Sequence, residues 1–171
     1  VAARAGVPTV PGSGGRVLDL IQAHEIAART GFPLMIKAAA GGGGRGIRIV
    51  DSLAELDKQF PLASAEAAAA FGDGGLYIEK VITRARHVEV QILGDTHGNV
   101  VDLFERDCSI QRRNQKVVER APAPYLADAH PRALPAYAPT LCAATRYAGA
   151  GPVEFLMLAD TGASYSTEAN P

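Results

Sequence analysis

The sequence predicts an α+β fold, and three observations carry that prediction. Residues 17–29 repeat apolar side chains at helical spacing, residues 87–92 alternate apolar and polar with period two, and strand-like runs recur as hairpins on either side of glycine-containing turns. With 171 residues, 47% of them hydrophobic, the chain can bury one core, or one core and a smaller lobe.

In chain order, residues 1–5 are helix-like and 8–15 read as a Pro/Gly-rich turn. The helix over 17–29 ends at Gly31, a residue suited to a C-terminal cap. Residues 34–38 read as a strand, 39–44 as a glycine-rich loop and 46–50 as a second strand, together a β-hairpin with a pliant tip. Ser52 followed by Glu55 is a capping-box signature for a helix start, and a second, alanine-rich helix is expected over about 63–71, ended by the glycine-rich stretch 72–75. Residues 76–81 are apolar and β-rich and complete a small lobe. Beyond it, Val88, Val90 and Ile92 alternate with His87, Glu89 and Gln91, which puts an apolar row on one strand face and a polar row on the other. A turn at 95–98 leads into a strand over 100–105, and 116–119 is a further short strand. Residues 127–147 have helical character, with Pro131, Pro135 and Pro139 expected to break the helix. A last hairpin spans 153–170.

The formal net charge of -1 supplies no general field for a polyanion, so a nucleic-acid partner is not expected. Cys108 and Cys142 are the only thiols and lie far apart, which suggests neither a disulfide framework nor a thiolate metal cluster and makes a reducing cytoplasm the default location. No apolar run approaches the roughly 20 residues that cross a bilayer, so no membrane partner is expected. Both ends read as cut, and the chain is expected to be a fragment.

Gly41, Gly43 and Gly46 match G-x-G-x-x-G, but the dinucleotide fingerprint needs that loop to open a helix, and here it runs into the alternating strand 46–50. No Gly-Lys-Ser/Thr follows, so a P-loop also fails. What remains is a strand carrying Lys37, a glycine tip and a second strand. Bare backbone N–H groups of such a tip can close over phosphate oxygens while Lys37 adds a point charge. A surface turn would have little use for a glycine run, which costs conformational entropy on folding.

Folding residues 153–170 as a hairpin about Thr161 places Glu154 opposite Glu168, with Asn170 on the same face. Three oxygen donors converging on one patch suit Mg²⁺. Two solvated glutamates on an exposed strand face are an equal reading, because a one-residue slip would send them to opposite faces. The stretch 105–116 is dense in charge and by itself reads as a solvated loop; His87 and Cys108 read as a satisfied polar residue and an inert thiol.

Several segments in register resemble the biotin carboxylase family across essentially the whole chain: Ala5-Gly6-Val7-Pro8, Ile36-Lys37-Ala38 with the glycine run and Arg45-Gly46, Glu79-Lys80, Arg86-His87-Val88-Glu89-Val90-Gln91, Glu105-Arg106-Asp107-Cys108-Ser109, Gln111-Arg112-Arg113, Gln115-Lys116-Val117-Val118-Glu119, Ala121-Pro122-Ala123-Pro124 and Glu168-Ala169-Asn170-Pro171. The resemblance implies an ATP-grasp fold, with a lid lobe and its leading segment over 1–81 and part of a larger antiparallel-sheet lobe over 82–171. It implies ATP, Mg²⁺ (or Mn²⁺) and biotin as a carried substrate. By resemblance Lys37, Gly43 and Gly44 hold phosphates, Glu79, Lys80, Val81 and Ile82 line the adenine pocket, and His87 and Asn114 contact the nucleotide. Glu154, Glu168 and Asn170 match the metal ligands, Lys116 the bicarbonate-binding lysine and Gln111 a neighbour of that site. Asn114 stands where several family members carry His. The implied enzyme is a ligase of a biotin-dependent acyl-CoA carboxylase, working with bicarbonate, a biotin carrier domain and a carboxyltransferase, and a homo-oligomer when full length; an ATP-grasp ligase that phosphorylates bicarbonate or a carboxylate without biotin, and a non-catalytic ATP-binding module, are the alternative readings. The family continues past Pro171 with an arginine, so the chain as given is expected to be catalytically incomplete.

Overall fold

The structure, a computed structural model, describes residues 1–41, 46–112, 115–124 and 133–170. It divides into two compact units, Val10–Val81 and a second formed by Val1–Thr9 with Ile82–Pro171.

The first unit is a three-stranded antiparallel sheet of β1 (Leu34–Ala38), β2 (Arg48–Val50) and β3 (Leu76–Lys80) in the order β2-β1-β3, with helices α1 (Leu20–Thr30) and α2 (Leu53–Phe71). Strand β1 has the predicted bounds, and β2 pairs with it from Leu34↔Val50 to Ile36↔Arg48. Both helices start on side-chain caps: Asp19 accepts from Gln22 N, and Ser52 accepts from Glu55 N, while the Glu55 carboxylate accepts from Asp51 N at 2.7 Å, one residue before the N–H that a capping box uses. Three expectations need correction. The helix expected from residue 17 starts later, because Val17 exchanges backbone hydrogen bonds with Leu76. The expected turn over 8–15 instead contains residues that pair with β3, Ser13 N donating to Ile78 O and Lys80 N to Pro11 O. The two helices expected after Ser52 are one: Pro61 lies inside α2, and Leu56, Phe60, Ala63 and Ala67 are buried on both sides of it, so packing outweighs the single hydrogen bond that proline removes.

The second unit is a five-stranded antiparallel sheet of β4 (Ala85–Gly94), β5 (Val100–Arg112), β6 (Gln115–Arg120), β7 (Gly149–Leu158) and β8 (Ser164–Ala169) in the order β6-β5-β4-β7-β8, with helix α3 (Ala133–Thr145). Val88, Val90 and Ile92 are fully buried, and with Val153, Phe155, Leu134, Ala138 and Val7 they form its core. Strand β5 is longer than predicted and carries most of the charged stretch that read as a loop. Helix α3 passes through Pro139 unbroken, because Leu134, Ala138, Leu141 and Cys142 bury one side of it across the proline. The expected helical stretch 127–132 lies outside the described residues. Residues 1–9, expected with the first lobe, belong to this unit: Val7 joins its core, and the Ser166 N–H and hydroxyl both donate to Pro8 O. Among the described residues no helix is long and apolar enough to cross a membrane.

Candidate active site

The polar face of the five-stranded sheet carries one row across four strands. The register pairs Arg106 with Glu89, Glu89 with Glu154, and Glu154 with Glu168. The last hairpin therefore has the predicted Glu154↔Glu168 pairing, reached through a register shift, since nearer the turn Phe155 pairs with Ser166 and Met157 with Ser164. Three carboxylates side by side on one face repel unless cations intervene. Glu89 is fully buried, and Arg106 and Lys116 both donate to it, Arg106 Nε at 2.8 Å. The same Lys116 ammonium reaches across to Glu154 Oε1 at 2.8 Å, so one lysine from β6 neutralises two carboxylates on β4 and β7.

Glu154 has further donors. Asn170 Nδ2 lies 3.1 Å from Oε1, and His87 Nε2 approaches Oε2 at 2.8 Å. The His87 approach lies off the hydrogen-bond axis, so it is a close polar contact rather than a well-formed hydrogen bond. Asn170 is held by its main chain: its N–H donates to Pro152 O at 3.1 Å, and its carbonyl accepts from the Tyr147 hydroxyl at 3.1 Å. This approach requires glycine at 151, where a Cβ would collide with Asn170 O and the Tyr147 hydroxyl. Glu168, by contrast, is exposed and forms no ion pair with a described residue.

Electrostatics follow from these contacts. The closeness of His87 holds the Glu154 carboxyl at about 2, with Lys116 adding to it against the opposing effect of burial. Burial favours the neutral form of Lys116, yet its bonds to Glu154 and Glu89 outweigh that and hold its pKa well above the usual lysine range. Burial likewise opposes ionisation of Glu89, and Lys116 and Arg106 overcome it to hold the carboxyl below its ordinary value. Burial, then the Glu89 charge, pushes the Cys108 thiol up to about 12, which keeps it protonated and inert. Because Glu154 titrates lower when folded than its ordinary 4.5, the stability it confers is complete above pH 4.5 and is lost as pH falls toward 2. The raised Lys116 and lowered Glu154 describe one interaction, counted once, and we expect about 3 kcal/mol to disappear over that window. Urea midpoints at pH 6 and pH 2.5 check it; a Glu154→Gln variant should lose correspondingly less, and an equal loss in both contradicts the assignment.

In the first unit Lys37 Nζ pairs with Glu79 at 2.6 Å, so two of the predicted residues meet across β1 and β3. The Lys80 ammonium is committed elsewhere, to the carbonyls of Gly31 at 3.2 Å and Phe32 at 2.5 Å beyond α1. Val81 N donates to Pro33 O at 3.1 Å, and Ile82 is half-buried at the start of the second unit. Gly43, Gly44 and Asn114 lie outside the described residues. Reading the sequence missed Glu89 and Arg106. The signal for Glu89 was present, since it shares the polar row with His87, but its pairing with Glu154 is a register between strands about 65 residues apart that no local pattern reports.

The chemistry of the donors fits a hard divalent cation. Glu154 is ionised at neutral pH, Glu168 is free of ion pairs to described residues, and Asn170, which spends its side-chain nitrogen on Glu154, has its side-chain Oδ1 as a further oxygen donor. The Lys116 ammonium shows that a positive charge is already accommodated beside Glu154.

A five-stranded antiparallel sheet with this acidic row, and a separate unit with a lysine-bearing hairpin, are the parts of an ATP-grasp nucleotide-binding fold. The family described as carbamoyl-phosphate synthase L chain, ATP binding domain, matches residues 1–171, and the chain belongs to it. It is 52% identical over 167 residues to a biotin carboxylase of Nostoc, covering 98% of this chain and 37% of that protein. It is 53% identical over 156 residues to pyruvate carboxylase 1 of Caenorhabditis elegans, covering 91% of this chain and 13% of the relative. Among solved structures, the biotin carboxylase domain of Hydrogenobacter thermophilus 2-oxoglutarate carboxylase, in complex with MgADP, ADP and bicarbonate, superposes with a TM-score of 0.91 at 46% identity, over 99% of this chain and 37% of that one. The chain thus spans between about an eighth and two fifths of the proteins it resembles.

Proposed function

We propose that this chain is the nucleotide-binding part of an enzyme that carboxylates biotin with bicarbonate at the expense of ATP. The observation that carries the proposal is the buried Glu89–Lys116–Glu154 network: an ionised acidic site with a lysine at its centre that has an N–H to spare.

Glu154, Glu168 and the Asn170 side-chain Oδ1 would hold Mg²⁺, or Mn²⁺ in its place. A bound divalent ion neutralises charge on the phosphates. Lys37 supplies a further positive charge to the phosphates, Gly43 and Gly44 supply backbone N–H groups, and Glu79 to Ile82 line the adenine. The Lys80 contribution is through its main chain, since its ammonium is engaged with Gly31 and Phe32. His87 and Asn114 contact the nucleotide. Lys116 directs its remaining N–H at bicarbonate, with Gln111 beside it. A bicarbonate oxygen attacks the γ-phosphorus, the bond to ADP breaks, and carboxyphosphate forms; it releases CO₂ and phosphate, the phosphate takes the ureido N–H proton of biotin, and that nitrogen takes up the CO₂. The residues act by positioning and electrostatics.

A biotin carrier domain and a carboxyltransferase would complete the enzyme, a cytoplasmic homo-oligomer in this reading. For the final acceptor an acyl-CoA of the acetyl- or propionyl-CoA kind is one reading. Relatives named for pyruvate and 2-oxoglutarate make a 2-oxo acid the other. The match to a carbamoyl-phosphate synthase domain supports a ligase that activates bicarbonate without biotin as a competing reading. Bicarbonate-dependent ATP cleavage by the full-length protein decides between them. We expect free biotin to stimulate it; cleavage indifferent to biotin supports the competing ligase, and absence of bicarbonate-dependent cleavage overturns both.

A further inference from the structure

We infer that Gln111 is a positioning residue: it fixes which nitrogen of His87 carries the proton, so that the ring presents Nε2–H to Glu154. Gln111 Nε2 lies 3.0 Å from Cys108 O. A carbonyl oxygen only accepts, so this end of the Gln111 side chain must be the NH₂ and the amide cannot be turned over. The same nitrogen lies 2.9 Å from His87 Nδ1. With one hydrogen given to Cys108 O, the second points at Nδ1, which must therefore offer a lone pair. A neutral imidazole whose Nδ1 is bare carries its hydrogen on Nε2. That nitrogen is sealed from solvent and faces Glu154 Oε2 at 2.8 Å.

The backbone on either side is held as well. His87 N donates to the Ser109 hydroxyl at 3.0 Å, and that hydroxyl donates to Asp107 at 2.5 Å. Strands β4 and β5 are thus tied at the point where Gln111 and His87 meet; Gln111 donates to Nδ1, and the Nε2 side of the ring faces the Glu154 carboxylate. The reversed arrangement would aim a lone pair at a carboxylate. Orientation of a ligating carboxylate by outer hydrogen bonds is a general feature of metal sites. The part of the inference that concerns a metal rests on the function proposed above; the tautomer does not.

The test is a long-range ¹H–¹⁵N correlation spectrum of the nucleotide-free chain labelled with ¹⁵N-histidine, with the His87 signals identified by their loss in His87→Gln. We expect an Nε2–H tautomer with Nδ1 unprotonated. In Gln111→Glu, where an acceptor replaces the donor, Nδ1 should carry a hydrogen while His24 and His97 signals stay in place. A wild-type ring protonated on Nδ1, or a Gln111→Glu ring with Nδ1 still bare, overturns the inference. Should the variant fail to fold, the wild-type spectrum alone decides. Gln111→Glu is also expected to weaken MgADP binding about tenfold. The expected tautomer in a chain whose ADP binding ignores Mg²⁺ would count against the proposed function and leave the Gln111 role standing.

Discussion

Replacing Lys116 with methionine is expected to destabilise the second unit by about 3 kcal/mol and to lower bicarbonate-dependent ATP cleavage by the full-length protein roughly 100-fold. The stability loss has a definite origin. The Lys116 ammonium is the cation shared by Glu89, whose side chain is 1% exposed, and Glu154, 12% exposed. Without it Arg106 still serves Glu89, but Glu154 keeps only His87 and Asn170. An ionised carboxylate must then stay buried with poorer compensation or take up a proton. Restoring a positive charge with Lys116→Arg should recover part of the stability and little of the activity, because a planar fork does not present one N–H as an ammonium does. Equal denaturation midpoints for wild type and Lys116→Met would show that the carboxylates are balanced by other groups.

The second large effect is expected from Glu154→Gln. Glutamine preserves shape and can still accept from Lys116, and Lys116 remains paired with Glu89, so the loss of stability at neutral pH should be about the 3 kcal/mol that protonating Glu154 removes. What disappears is the negative charge beside the exposed Glu168. The Mg²⁺-dependent part of ADP affinity should fall roughly 100-fold, while ADP binding without metal changes little. Calorimetric titration with and without Mg²⁺ separates the two contributions. A variant whose metal dependence matches wild type would remove Glu154 from the proposed ligand set.

What the sequence made legible was local. Strand β1, the Ser52–Glu55 cap and the buried Val88, Val90 and Ile92 row each depend on residues within a few positions of one another. The pairing of Glu154 with Glu168 was legible in outcome but not in cause: nearer the turn Phe155 pairs with Ser166, and a register shift that no local pattern reports brings Glu168 opposite Glu154. Continuity of α2 and α3 through Pro61 and Pro139 was not, since the burial that overrides a proline comes from other elements. The same holds for Glu89: it becomes the partner of Lys116 only after β4, β6 and β7 assemble. The exposed Leu93, Val101 and Phe104 gave no signal of their own in the sequence.

The most direct measurement is the anomalous scattering of manganese in crystals of the protein grown with MnADP. We expect a peak within coordination distance of carboxylate oxygens from both Glu154 and Glu168, with the Lys116 ammonium still bonded to Glu89. Manganese bound to the nucleotide but remote from both glutamates would contradict it.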